Sequence, residues 1–147
     1  NSNRKKQKKL AGNGMVVLDT TILIHLLRGD ENAKTKIAEL EASNTEIFTT
    51  QINIFELIQG IYGYGKNPDL EIAALEVLLE RIKILDLNYF GSYHAGRLSG
   101  LLIKKGITIS PSDLLIAGIA IANNIDTIVT KNTKDFSKIA GIKVQGY

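Results

Sequence analysis

Short apolar stretches rich in β-branched residues alternate with helix-patterned segments along this chain, and no hairpin turn joins one stretch to the next. That alternation restricts the fold more than any other feature. Strands separated by helices need crossover connections, and crossover-linked strands lie parallel in a sheet covered on both faces. Residues 15–18 (MVVL) read as a fully buried strand, followed by strands at 46–49, 82–85, 127–130 and 142–144. Helical spacing covers residues 20–28, 32–42, 51–63, 69–81, 88–105 and 111–123. Gly106 stands where a helix closes in a left-handed turn, and the Gly- and Pro-containing stretch 62–68 reads as a loop. The expected fold is a three-layer α/β/α sandwich around a mostly parallel sheet of four to five strands. In such sheets ligand chemistry gathers outside the carboxyl ends of the strands.

A chain of 147 residues suits one domain with a sizeable core, expected over residues 15–147. Its apolar runs are broken well short of the ~20 residues of a membrane span, and no secretory leader pattern is present. Cysteine is absent, which excludes thiol catalysis, zinc–thiolate sites and disulfides and points to a reducing compartment, the cytoplasm. The formal charge of +3 misleads. Residues 1–14 hold Arg4, Lys5, Lys6, Lys8 and Lys9 and no acid; taking those five from the 18 basic residues leaves 13 against 15 acidic. The basicity belongs to a tail, expected to be a disordered or vector-derived extension ahead of Met15. As a native segment, it would hold nucleic acid through phosphate contacts.

The informative acids lie at element ends. Asp19 follows the first strand and opens a helix, where capping alone explains an Asp; Thr20 and Thr21 beside it add hydroxyls suited to a phosphate oxygen or an ion's water. Glu56 lies in QINIFELIQG, at the edge of an apolar stripe formed by positions 54, 55, 58 and 61. Its plain reading is a half-exposed helix acid, while Gly60, a turn later, suggests a close approach to the backbone. Asp113 is the N3 residue of a helix with Ser110 at the N-cap and Pro111 at N1, a capping-box position. Asn132 and Asp135 follow the fourth strand. Each acid has a structural explanation of its own. Together they fall at one edge of a parallel sheet, where clustered carboxylates repel and burial raises their cost. A divalent cation resolves that repulsion, and hard oxygen donors favour Mg²⁺ or Mn²⁺. Such ions activate water and neutralise charge on a phosphate undergoing in-line displacement.

The strings VVLDTTILIHLLRGD, TTQINIFELIQG, AGRLSGLLIKKGITISPSDLLIAGIA and TIVTKNTKDF follow, in order, the acidic motifs of PIN-domain nucleases. The chain resembles the VapC-type toxins of prokaryotic toxin–antitoxin pairs over about residues 15–147. The resemblance implies a metal-dependent endoribonuclease in which Asp19, Glu56 and Asp113 bind Mg²⁺ or Mn²⁺, with single-stranded or structured RNA as substrate, a VapB-like antitoxin as partner, and a homodimer. The family's fourth acid often stands two residues after the Thr that ends strand four. Here Thr130 is followed by Lys131 and Asn132, so the fourth acid is either replaced by a carbonyl or supplied by Asp135. That departure leaves the second metal open and keeps an alternative alive, a PIN-like RNA-binding module with weak or no catalysis. A phosphoacceptor receiver domain shares the element order but does not account for Glu56 and Asp113. Arg28 has two readings, a phosphate contact or a cation opposing the helix dipole. His25 and His94 read as packed or surface histidines, and Tyr62 and Tyr64 as base-stacking or interface residues.

Overall fold

The structure, a computed structural model, describes residues 14–147. The tail expected at residues 1–14 falls outside them but for Gly14. The strands are β1 (Met15–Leu18), β2 (Glu46–Thr50), β3 (Lys83–Leu85), β4 (Thr127–Val129) and β5 (Lys143–Gln145). The helices are α1 (Thr20–Leu27), α2 (Glu31–Ala42), α3 (Gln51–Tyr64), α4 (Pro68–Leu79), α5 (Tyr89–Lys104), α6 (Pro111–Ala122) and the short α7 (Thr133–Phe136). The sheet order is β3-β2-β1-β4-β5, and every pairing is parallel.

Strand β1 lies at the centre because its residues need burial on both faces. Val16, Val17 and Leu18 are all fully buried. Strand alternation sends Val17 into a core with Leu98, Leu102, Ile116 and Ile128. Val16 and Leu18 face the other layer, with Ile22, Leu23, Leu57 and Leu75. Helices α5 and α6 thus cover one side of the sheet, and α1, α3 and α4 the other. The edges are short: β3 exposes Lys83 and Ile84, and β5 exposes Lys143. Short edges carrying lysine discourage further strand pairing.

The element ends follow the expected chemistry. Ser110 caps α6 by accepting the Asp113 N–H at 3.3 Å, with Pro111 in the first turn. Helix α5 closes through Gly106 at φ 70°, with the Ile107 N–H donating to the Leu102 carbonyl at 2.9 Å. Helices α5 and α6 press together at Gly118, where a Cβ would lie 2.5 Å from the Gly91 carbonyl oxygen.

Three local expectations are corrected. The helix after β2 continues through Tyr64, so Tyr62 and Tyr64 are exposed residues of its last turn and not part of a loop. Its buried stripe is Asn53, Leu57 and Ile61, while Phe55 is 63% exposed and Ile58 38%. Nothing approaches Gly60 within 4 Å of where a Cβ would stand; it borders an open cleft instead.

Candidate active site

The strand order reverses direction at β1, which has β2 on one side and β4 on the other. Chains leaving the two central strands at their carboxyl ends therefore diverge, and a crevice opens there. Asp19 follows β1 directly and is 5% exposed. Its N–H donates to the Val129 carbonyl at 3.0 Å, which extends the ladder by one residue and fixes the backbone. It occupies the N-cap position of α1, yet its carboxylate caps neither N2 nor N3. The Thr130 hydroxyl donates to Oδ2 at 2.7 Å, and the Asn53 amide donates to Oδ1 at 3.2 Å. Capping therefore does not explain Asp19.

Asn53 was not singled out from the sequence. It is fully buried in the first turn of α3, off the stripe expected to face the core. The Thr50 hydroxyl and backbone N–H both donate to its carbonyl, at 2.7 and 3.2 Å. That leaves its Nδ2 to serve Asp19 and the Thr20 hydroxyl, the latter at 3.0 Å. Thr20 in turn donates to Glu56 Oε1 at 3.0 Å. A continuous chain of hydrogen bonds thus runs Thr50–Asn53–Thr20–Glu56, with a branch to Asp19. The only local signal for it is the Thr-x-x-Asn spacing, a capping arrangement that gives no hint of the contact to Asp19.

Asp113 stands across the crevice at the start of α6. Asn132 donates its amide to Asp113 Oδ2 at 3.1 Å, and its own N–H is taken by the Thr130 hydroxyl at 2.9 Å. Asn132 therefore acts as a donor to an acid. Asp135, in α7, lies 3.9 Å from Lys138.

The electrostatics show that these groups share one field. Burial pushes Asp19 up from its ordinary value, against the lowering bonds from Thr130, the Thr20 backbone and Asn53. Burial also raises Glu56, with the Asp19 charge adding to it and the Thr20 bond opposing. Asp113 is pushed up to about 6, first by burial and then by Asp19, with Glu56 and Asp135 adding to it and Ser110 opposing. Among the described residues, no Lys or Arg forms an ion pair with Asp19, Glu56 or Asp113. Nor are three acids or imidazoles already closed into a ligand cage among those residues. The site is an uncompensated carboxylate group, anchored by neutral amides and hydroxyls. Its charge and its oxygen donors fit a hard divalent cation.

The other candidates lie elsewhere. Arg28 is the C-cap of α1 and lines, with Ile24 and Leu27, a cleft of about 340 Å³ whose opposite side is formed by α3 and α4. His25 pairs through Nδ1 with the Tyr147 hydroxyl. His94 is on α5 with its Nδ1 buried and unpartnered, its ring set edge-on to Tyr93. No described helix is long and apolar enough to cross a membrane.

Comparison with known proteins identifies the family. The PIN domain family matches residues 16–142. The chain is 31% identical over 131 residues to Ribonuclease VapC2 of Rickettsia felis, covering 89% of this chain and 96% of that one. It is 30% identical over 134 residues to the tRNA(fMet)-specific endonuclease VapC of Salmonella typhimurium, covering 89% and 96%. In structure it is similar to VapBC2 of Rickettsia felis bound to a promoter DNA fragment, with TM-score 0.81 and 30% identity over 90% of this chain and 98% of that one. VapBC-1 of nontypeable Haemophilus influenzae gives TM-score 0.78 and 32% identity over 90% and 97%. With the family match spanning nearly the whole described chain and VapC proteins among its relatives, the chain belongs to the PIN-domain family, in its VapC branch.

Proposed function

We propose that the chain is a divalent-metal-dependent endoribonuclease, the toxin of a toxin–antitoxin pair, acting on phosphodiester bonds of RNA. The observation that carries the reading is the convergence of Asp19, Glu56 and Asp113 at the sheet's switch point with raised proton affinities and no cationic partner. These three would hold Mg²⁺ or Mn²⁺, with Asp135 as the fourth acid. When bound, the ion supplies an activated nucleophile and charge neutralisation at the phosphate. Asn53, Thr20, Thr130 and Asn132 hold the carboxylates in place, and such supporting bonds set both the orientation and the basicity of ligands. Burial of Asp19, 5% exposed, limits its access to water. The Salmonella relative's name gives tRNA(fMet) as its target, and structured RNA is the substrate class proposed for this chain.

The partner proposed is a VapB-like antitoxin. Its docking site would be the apolar cleft lined by Ile24, Leu27, Leu57 and Ile61, with Arg28 and Glu71 also in its wall. A homodimer is proposed as well, supported by the exposed aromatic cluster of Tyr89, Phe90 and Tyr93 at the start of α5. The reading places the protein in the cytoplasm, beside its RNA.

Asp19→Asn and Asp113→Asn are each expected to abolish RNA cleavage in Mg²⁺ or Mn²⁺ while leaving the far-UV circular dichroism unchanged. Cleavage at the wild-type rate by either variant would overturn the assignment. The non-catalytic alternative draws on Asn132, whose amide is spent on Asp113. It would be favoured by a wild-type protein that binds RNA and cuts none with Mn²⁺ present.

A further inference from the structure

Residues beyond β5 make a connection that the acidic site itself does not explain. The chain passes β4 through the Thr130 N–H, which donates to the Gln145 carbonyl at 3.0 Å, and ends its described course at Tyr147, half-buried against α1. The Tyr147 hydroxyl is paired with His25 Nδ1 and lies beside Thr21. Its ring lies under Lys131, whose Nζ is 4.3 Å from the ring centre, and its backbone oxygen accepts from the same Nζ at 2.5 Å. Lys131 is otherwise an exposed residue, and its backbone N–H donates to the Thr21 hydroxyl at 3.3 Å.

Lys131 stands between the two residues that hold the acids. Thr130 donates to Asp19 and Asn132 donates to Asp113. The turn after β4 carries all three and is tied to α1 by the Lys131–Thr21 bond. We propose that Tyr147 is a positioning residue for the acidic site: it clamps Lys131, and with it the turn 130–132, against α1, so that Thr130 and Asn132 stay on their carboxylates. Without the clamp, the tie of Lys131 to α1 would rest on the single 3.3 Å bond from its N–H to the Thr21 hydroxyl. A cation held over a ring and bonded to the adjoining carbonyl is restrained at both ends of its reach. The inference rests on the metal-site reading proposed above.

The test is calorimetric titration of the full chain with Mn²⁺ alone, at pH 7.5, for the wild type, Tyr147→Ala, Tyr147→Phe, Lys131→Ala and Asp19→Asn, with thermal melts of each metal-free protein. The clamp predicts that Tyr147→Ala and Lys131→Ala weaken Mn²⁺ binding by about tenfold, the lower end of the effect of removing a ligand's support. Tyr147→Phe keeps the ring and backbone contacts to Lys131 but loses the hydroxyl tie to α1, so its loss is expected to fall between wild type and Tyr147→Ala. Lys131→Ala alters an exposed side chain, so it tests the contact even if Tyr147→Ala does not fold. Wild-type affinity in Lys131→Ala overturns the clamp, as does a loss in Tyr147→Phe equal to that in Tyr147→Ala. Affinity losses that simply follow falling melting temperatures overturn it too. Asp19→Asn separates the two claims. If it binds Mn²⁺ as the wild type does, the metal-site reading is wrong; if it loses binding while the clamp variants keep theirs, only the clamp is.

Discussion

Asp113 carries the clearest cost at the scale of single residues. Its carboxyl is raised to about 6 from an ordinary 3.8. The folded protein therefore binds that proton more tightly than the unfolded chain does. The stabilisation from protonation is present at acid pH and is lost as pH rises from about 4 through 6. Asp113→Asn removes the charge and keeps an oxygen for the Asn132 amide. The metal-free variant is thus expected to melt higher relative to wild type at pH 7.5 than at pH 5, measured by differential scanning calorimetry. The same relief would come from adding a divalent ion to the wild type. Asn53 behaves in the opposite way. Asn53→Ala strands the Thr50 N–H and frees Asp19 on one side, so it is expected to destabilise the fold by about 1–3 kcal/mol, read by urea denaturation. A change below about 0.5 kcal/mol would mean that the buried network contributes little. Asp19 and Asp113 were legible because their signals are local: an acid after a buried strand, and an acid three residues after a Ser-Pro helix start. Asn53 was not, since its meaning lies in Asp19, 34 positions away.

At the scale of elements, local pattern located nearly every strand and helix and failed where a tertiary contact outranked hydrophobicity. In α3 the apolar side chains alone suggested a stripe through Phe55 and Ile58. The buried line passes instead through Asn53, Leu57 and Ile61, because Asn53 is needed beneath Asp19. Rotating the helix to bury that asparagine turns Phe55 outward. The same helix runs past Gly63 to Tyr64 despite glycine's poor propensity, which is why 62–64 resembled a loop. The short α7 had no periodicity to reveal it, being a single turn. Between α5 and α6, spacing shows two apolar helices but not how near they come. Gly118 sets that distance. A methyl group there would meet the Gly91 carbonyl and the Ala95 backbone at 2.5 and 2.6 Å. Gly118→Ala is expected to cost about 1–3 kcal/mol through forced separation of the helices. Because α6 carries Asp113, the variant is also expected to cut RNA more slowly.

At the scale of the whole molecule, the strand order turns separate local features into a site. With β1 between β2 and β4, the segments after three strands open onto one edge: α1 with Asp19 and Thr20, α3 with Asn53 and Glu56, and the turn with Thr130 and Asn132. Helix α6 brings Asp113 from the opposite layer. Alternation of strands and helices predicted the parallel sheet and the edge at which the acids gather. It did not predict which of Asn132 and Asp135 would stand nearer the centre. The fold shows Asn132 on Asp113, with Asp135 near Lys138. The central claim is that these carboxylates form one cation site despite their repulsion. Since ligation requires deprotonated carboxylates, Mn²⁺ binding near pH 6 must displace the proton that Asp113 retains there. The most direct measurement is Mn²⁺ titration calorimetry in buffers of differing ionisation enthalpy, at pH 6 and at pH 8. The account predicts binding at both, with proton release at pH 6 that falls away at pH 8 and is smaller in Asp113→Asn; no binding, or proton release unchanged by that substitution, would contradict it.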